Sequence, residues 1–263
     1  MTIDLYQVDA FTGKLFGGNP AAVCPLKTWL PDGTMQSIAE ENNLSETAFF
    51  VKRGDVFEIR WFTPKVEIAL AGHPTLAAAH VIFHHLGHFM SRIDFDSKSG
   101  RLMAERRGDL IILDFPAFRP KPVAAPPALA AGLRKKPREV FLGRDYLALF
   151  ETEEEVRAVA PDFGLLAELD CLGIIITAPG RKSDFVSRFF APRAGINEDP
   201  VTGSAHTILI PFWAERLGKR ELHAFQVSKR MGELFCEHLG ERVRIGGRAV
   251  TYLTGQVELP ATA

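Results

Sequence analysis

Arg60-Trp61-Phe62-Thr63-Pro64-Lys65 returns later in the chain as Arg188-Phe189-Phe190-Ala191-Pro192-Arg193, 128 residues on (60 to 188). Beyond it, Gly72-His73 is answered by Gly203-Ser204 and Leu86-Gly87 by Leu217-Gly218, both at a spacing of 131 (72 to 203, 86 to 217). Lys98 is answered by Lys229 at the same spacing. Gly100, Leu102, Glu105 and Gly108 are answered by Gly232, Leu234, Glu237 and Gly240 at 132 (100 to 232). A spacing this steady over so many residue types marks an internal duplication, with a period far longer than a solenoid repeat. Two similar halves facing each other are expected to make a cleft lined by two equivalent helix N-termini. Function is expected there.

The first half reads as a strand from Asp4 to Ala10, a Gly-rich turn through Gly17-Gly18-Asn19-Pro20, and a strand from Ala21 to Cys24. A helix capped at Asp32 runs to the Asn42-Asn43 pair. Thr47 to Lys52 and Val56 to Phe62 form a hairpin about Gly54-Asp55. A helix from His73 to Leu86 stops at Gly87, and three strands follow between Ile93 and Phe115. Pro116 to Pro137 shifts to Pro and Ala and reads as the interdomain connection. The second half repeats the order. Thr152 and Glu155 form a capping box ahead of a helix, Leu172 to Thr177 and Phe185 to Phe190 are strands, and a helix runs from Ser204 to Leu217. Helices set among antiparallel hairpins indicate α+β, not a doubly wound sheet. The expected domains are residues 1–116 and 117–263, with a last strand near 250–260 that can return to the first.

At 263 residues, two domains of ordinary size fit. Hydrophobic content of 46% and charged content of 24% place the chain among soluble globular proteins. A net charge of −1 leaves no electrostatic footprint for nucleic acid or an anionic membrane. No apolar run approaches spanning length, and the opening residues lack a basic n-region followed by an apolar h-region, so secretion is not expected. Cys24, Cys171 and Cys236 are odd in number and far apart, so neither a disulfide framework nor a CxxC pair is present. A cytoplasmic location is expected.

The dinucleotide and P-loop glycine fingerprints and the GxSxG elbow are absent from the sequence. What remains is the pair of helix starts, Ala71-Gly72-His73-Pro74-Thr75 and Thr202-Gly203-Ser204-Ala205. Each exposes backbone N–H groups at the positive end of a helix dipole, where a small carboxylate can bind. Ordinary capping is the competing reading of either motif taken alone. Glu46, between a helix end and an apolar strand, is the candidate for proton transfer, because burial beside apolar groups suits a general acid/base. A solvated loop carboxylate is its bland reading. Asp199 either orients His73 or starts the turn at Pro200. His80 and His84 lie one turn apart with His85 and His88 nearby. Gly87 interrupts the set, so a partly exposed helix end accounts for it better than a metal.

Five segments together resemble the phenazine-biosynthesis PhzF-like isomerase family. They are Phe16-Gly17-Gly18-Asn19-Pro20-Ala21-Ala22-Val23, Asn43 to Phe49, Arg60 to Pro64, Ala71 to His80, and Glu198-Asp199-Pro200-Val201-Thr202-Gly203-Ser204-Ala205-His206. The resemblance implies a diaminopimelate-epimerase-like fold: two similar α+β domains, each a curved antiparallel sheet around a central helix. It implies that Glu46 is the acid/base, that His73 and Asp199 support it, and that Asn19, Gly72, Gly203 and Ser204 hold the substrate. No cofactor and no metal are implied. The partners implied are a small carboxylate-bearing substrate and a second copy of the chain in a homodimer. Epimerases similar in fold place a cysteine just before each glycine-opened helix. Here Ala71 and Thr202 stand there, which disfavours two-thiol chemistry. One carboxylate moving a proton on one face suits an allylic isomerisation, and the reaction named in the family is that of trans-2,3-dihydro-3-hydroxyanthranilate. The alternative is a non-catalytic protein that binds a metabolite or a partner protein on the same scaffold.

Overall fold

The structure, a computed structural model, describes residues 1–259. The last four residues of the expected second domain lie outside them. The chain divides into two compact units: Met1–Asp114 with the chain from Gly246 on, and Phe115–Ile245. In the first, β1 (Thr2–Ala10), β2 (Asn19–Leu26), α1 (Asp32–Asn42), β3 (Thr47–Arg53), β4 (Val56–Phe62) and β5 (Glu67–Ile68) lead to α2 (Gly72–His84). They are followed by β6 (Arg92–Ser97), β7 (Gly100–Arg107) and β8 (Leu110–Pro116). In the second, β9 (Lys121–Pro122), α3 (Pro127–Leu133), β10 (Glu139–Leu142), β11 (Tyr146–Leu149), α4 (Glu153–Ala158), α5 (Phe163–Ala167), β12 (Ile174–Pro179), β13 (Phe185–Ala191) and β14 (Ile196–Asp199) lead to α6 (Gly203–Leu217). Then come β15 (Glu221–Gln226), β16 (Gly232–His238), β17 (Arg242–Gly247) and, back in the first unit, β18 (Ala249–Glu258), which pairs antiparallel with β1 from Thr2↔Glu258 to Ala10↔Ala249.

The two units share one topology. Each pairs its strands antiparallel where a hairpin joins them (β3–β4 and β12–β13; β6–β7 and β15–β16). Each also carries parallel pairs, β2–β3 and β4–β6 in one, β11–β12 and β13–β15 in the other. The antiparallel sheet that the resemblance implies for each domain is therefore mixed in detail. A hairpin can only join antiparallel neighbours, whereas a strand, helix, strand passage returns the chain in the same direction. Here α1, α2, the α4–α5 pair and α6 are those passages. The architecture remains α+β.

Each unit closes around a helix with no polar face. In α2, His73 through Phe83 are all buried, and in α6 Ala205 through Ala214 are too. A helix apolar all round is stable only when enclosed, and each buried Leu, Ile or Phe contributes roughly 1.5–3 kcal/mol. The arginines that open the duplicated motif tie down the approach to these helices. Arg60 grips Glu67 on β5 through two bonds of 2.8 Å and lies 5.2 Å from the Phe62 ring. Arg188 grips Glu198 on β14 at 2.7 and 3.0 Å and lies 5.0 Å from the Phe190 ring. Hydrogen bonding from Arg60 holds the Glu67 carboxyl down at about 2.

The Pro- and Ala-rich stretch is more than a connection. β9 pairs with β10, and α3 starts at Pro127 and buries Leu129 and Leu133 in the core of the second unit beside Val156, Leu166 and Phe190. Proline is tolerated at the first helical position, so Pro126-Pro127 starts a helix instead of forbidding one. The Thr152–Glu155 capping box is present in both directions.

The two enclosed helices carry His73, His80 and His206. Burial lowers them to about 3, about 3 and about 4. All three are neutral when folded and protonate more readily when unfolded, so the unfolded chain binds more protons between about pH 6.5 and pH 3. Stability is fully present above about pH 6.5 and is lost as pH falls through that window. His80→Gln keeps a partner for the Thr251 hydroxyl, 3.0 Å from Nε2, but removes one titrating group. Urea unfolding at a series of pH values from 7.5 to 5 should show a pH dependence shallower by up to about 1.4 kcal/mol per pH unit in the variant. An unchanged slope would mean that His80 is not held neutral.

Candidate active site

In the first unit the site begins at a turn only glycine can make. Gly18 has φ 59°, and a Cβ there would lie 2.0 Å from the Ala10 carbonyl oxygen. The turn delivers Asn19, fully buried, as the first residue of β2. α1 ends at Asn43 in the left-handed conformation, and Asn42 Nδ2 donates to Thr47 Oγ1 across the link to β3. That link holds Glu46, whose carbonyl accepts the Ala22 N–H at 3.2 Å and so continues the β2–β3 ladder. His73 is the second residue of α2. Three separate segments therefore converge on one imidazole.

His73 Nε2 lies 3.1 Å from Glu46 Oε2, with side-chain exposures of only 7% and 12%. On its other edge, Nδ1 lies 3.2 Å from Asn19 Nδ2. With an Asn19 amide N–H donated to Nδ1, the ring proton sits on Nε2, facing Glu46, whereas the Pro20 carbonyl favours a donating ring N–H. Burial drives the imidazole down to about 3, and a Pro20 backbone contact pulls the other way more weakly. At neutral pH the pair is thus a neutral imidazole against a carboxyl group, not an ion pair. The approach is close but off the axis of a good hydrogen bond.

The α2 start has no side-chain cap: Ala71 is the N-cap, Pro74 has no N–H, and Thr75 Oγ1 donates back to the Ala71 carbonyl at 2.5 Å. In the second unit Thr202 is the N-cap of α6 and also fails to cap it. Its hydroxyl donates instead to Asp199 Oδ2 at 2.5 Å. His206 Nδ1 lies 2.9 Å from the Thr202 carbonyl, which is the counterpart of the Thr75 contact. Gly203 and Ser204 open this helix with backbone N–H groups at the positive end of its dipole.

The structure thus brings Asn19, Glu46, His73 and Gly72 together in one unit, and Asp199, Gly203 and Ser204 together in the other. The sequence reading counts Asn19 only as a binding residue, yet here it orients His73. Thr202 and Gln226, which surround Asp199, carried no assigned role. The Asp199–Thr202 spacing of three residues is a local side-chain signal that could have shown the first. Nothing in the sequence around Gln226 marks the second.

Cys24 and Cys236 are buried and Cys171 is half-buried. Burial raises the thiols, Cys24 to about 12, away from thiolate chemistry. The residues before the two helix starts are Ala71 and Thr202, as the sequence reads. His80 and His85 both face the Thr251 hydroxyl, at 3.0 and 2.8 Å. Among the described residues no three His, Cys, Asp or Glu side chains gather as metal ligands, and no helix is long and apolar enough to cross a membrane.

The family model described as phenazine biosynthesis-like protein matches residues 8–255. An uncharacterized isomerase of Pseudomonas aeruginosa is 50% identical over 259 residues, covering 98% of this chain and 100% of its own. A crystal structure of a phenazine biosynthesis protein of the PhzF family from Enterococcus faecalis superposes with a TM-score of 0.97 at 47% identity, over 98% of this chain and 100% of that one. A hydroxyproline epimerase from Agrobacterium vitis has a TM-score of 0.60 at 12% identity, over 97% of this chain and 92% of that one. At that identity it shares the epimerase-like fold alone. With a matching family model over most of its length and relatives at half identity, the chain belongs to the phenazine biosynthesis-like PhzC/PhzF family.

Proposed function

We propose that this protein is a cofactor-independent isomerase that moves a proton on a small carboxylate-bearing substrate, with Glu46 as its single acid/base. The observation that carries this reading is the buried Glu46–His73 contact of 3.1 Å in a chain half identical to a protein named an isomerase. In the proposed step the Glu46 carboxylate takes a proton from a carbon next to a double bond. The electron pair of that C–H bond forms a new double bond as the old one shifts, and the Glu46 acid returns the proton to the far allylic carbon on the same face. A neutral His73 with its proton on Nε2 supports the carboxylate before transfer.

In the first unit the backbone amides of Gly72 and His73 are proposed to bind a substrate carboxylate with Asn19 in support, and in the second those of Gly203 and Ser204 are proposed to do so with Asp199 in support. trans-2,3-Dihydro-3-hydroxyanthranilate is the first substrate to test. The competing reading, a protein that only binds a metabolite or a partner, is separated by isotope exchange. An isomerase incorporates solvent deuterium into its substrate or product, and a binding protein does not. Homodimerisation belongs to the same reading and is measured by sedimentation velocity.

Glu46→Gln keeps the size and hydrogen-bonding reach of the side chain but cannot serve as a base. Turnover should fall by at least about a hundredfold, the scale of lost general acid–base catalysis, while affinity for a carboxylate ligand stays within about threefold because the backbone amides are untouched. Asp199→Asn should cost less. Normal turnover by Glu46→Gln, with activity abolished in His73→Ala at unchanged binding, would reverse the roles and make His73 the base.

A further inference from the structure

Threonine is a preferred N-cap because its hydroxyl accepts a hydrogen bond from the second or third amide of the helix. Thr202 stands at the N-cap of α6 and makes no such bond. What meets it instead is a fully buried side-chain amide. Gln226, the last residue of β15, is 0% exposed. Its Nε2 donates to the Asp199 carbonyl at 2.8 Å and to Thr202 Oγ1 at 3.1 Å, and its Oε1 accepts the Thr202 N–H at 2.8 Å. With the Thr202 hydroxyl accepting from Gln226, its own proton is directed to Asp199 Oδ2, 2.5 Å away. One glutamine side chain sets both the backbone and the hydroxyl of the segment that carries Asp199.

The turn after Gln226 completes the grip. Ser228 Oγ donates to the Pro200 carbonyl at 2.8 Å and is itself held by the Met231 N–H at 3.2 Å. Met231 adopts φ 54°, a strained value for a residue with a side chain. Gly232 is packed so tightly on Val201 that a Cβ would lie 2.2 Å from Val201 Cγ2. Asp199, Pro200, Val201 and Thr202 are each engaged from this one turn.

The first unit shows what the same place looks like without that task. The strand registers Glu58↔Asp96 and Val186↔Phe225 align Ser97 with Gln226. Ser97 closes its own exposed hairpin, donating to the Gly100 carbonyl at 2.7 Å. Only residues 98 and 99 separate it from Gly100, whereas residues 227 to 231 separate Gln226 from Gly232. The duplicated halves diverge here, beside the helix start preceded by a carboxylate.

We propose that Gln226 is a positioning residue: it diverts the Thr202 hydroxyl from capping α6 to aligning Asp199, and so keeps the opening amides of α6 available to a substrate carboxylate. Without it, the Thr202 hydroxyl turns onto the amide of Ser204 or Ala205. This inference rests on the isomerase reading for its kinetic consequence, but not for its structural one.

Two measurements on Gln226→Met, which keeps the length of the side chain and removes its hydrogen bonds, test it. If that variant does not fold by circular dichroism, Gln226→Glu replaces it, since it still accepts the Thr202 N–H but cannot donate to Oγ1 when ionised. The crystal structure of the variant should show Thr202 Oγ1 rotated onto the α6 start, and an unmoved hydroxyl still on Asp199 would overturn the proposal. With trans-2,3-dihydro-3-hydroxyanthranilate as probe, kcat/KM should fall about tenfold or more in the otherwise native enzyme. In a Thr202→Val background the same substitution should cost less than about threefold, because the hydroxyl it acts through is gone. Equal losses in both backgrounds would make Gln226 a packing residue and refute the positioning role. If the native protein shows neither turnover nor deuterium exchange with the probe, the isomerase reading fails for that substrate and the rotamer of Thr202 alone decides the proposal.

Discussion

A helix without a polar face has to be enclosed, and that constraint organises this protein. α2 and α6 are buried along nearly their whole length, so each sheet wraps its helix. The first turn of such a helix cannot be made apolar, because its backbone N–H groups lack partners from a preceding turn. Each unit therefore has a compulsory polar point at the start of its central helix, and buried polar side chains collect there. In the first unit these are Asn19, Glu46 and His73, and in the second Asp199, Thr202 and Gln226. The Arg60–Glu67 and Arg188–Glu198 pairs hold the strands that lead into both points.

The same enclosure determines the protonation chemistry. A histidine in water titrates near neutrality, but His73 is surrounded and held neutral, at about 3. A charged imidazole beside Glu46 would hold the carboxylate ionised and poor at taking up a proton. A neutral one stabilises the ionised carboxylate less. The two starts are built from one template but have diverged. The back-donation from Thr75 to Ala71 recurs as that from His206 to Thr202, while the buried Gln226 and its lengthened turn occur only beside Asp199.

Much of this was legible in the sequence because duplication writes the same constraint twice. The repeated Arg motif, the glycine-opened helices and the αL end at Asn43 all carry local signals, and the structure places each where the residues imply. What was not legible depends on partners distant in the chain. Parallel strand pairs leave no mark in a single strand, so only the antiparallel hairpins are legible. Pro126-Pro127 reads as linker by composition, although proline also opens helices and Leu129 and Leu133 have a core to fill. Asn19 orients His73 across 54 residues and Gln226 reaches Thr202 across 24. No local pattern distinguishes such a glutamine from a surface one.

The claim on which the rest turns is that His73 is buried, neutral and turned by Asn19 so that its proton on Nε2 faces Glu46. Long-range proton–nitrogen correlation spectra of the 15N-histidine-labelled protein, recorded from pH 8 to pH 5 with His73→Gln to assign the signal, read both ring nitrogens directly. The account predicts that His73 stays neutral across that range, as the Nε2–H tautomer. A His73 signal that titrates near pH 6.5, or that shows the proton on Nδ1, would contradict it.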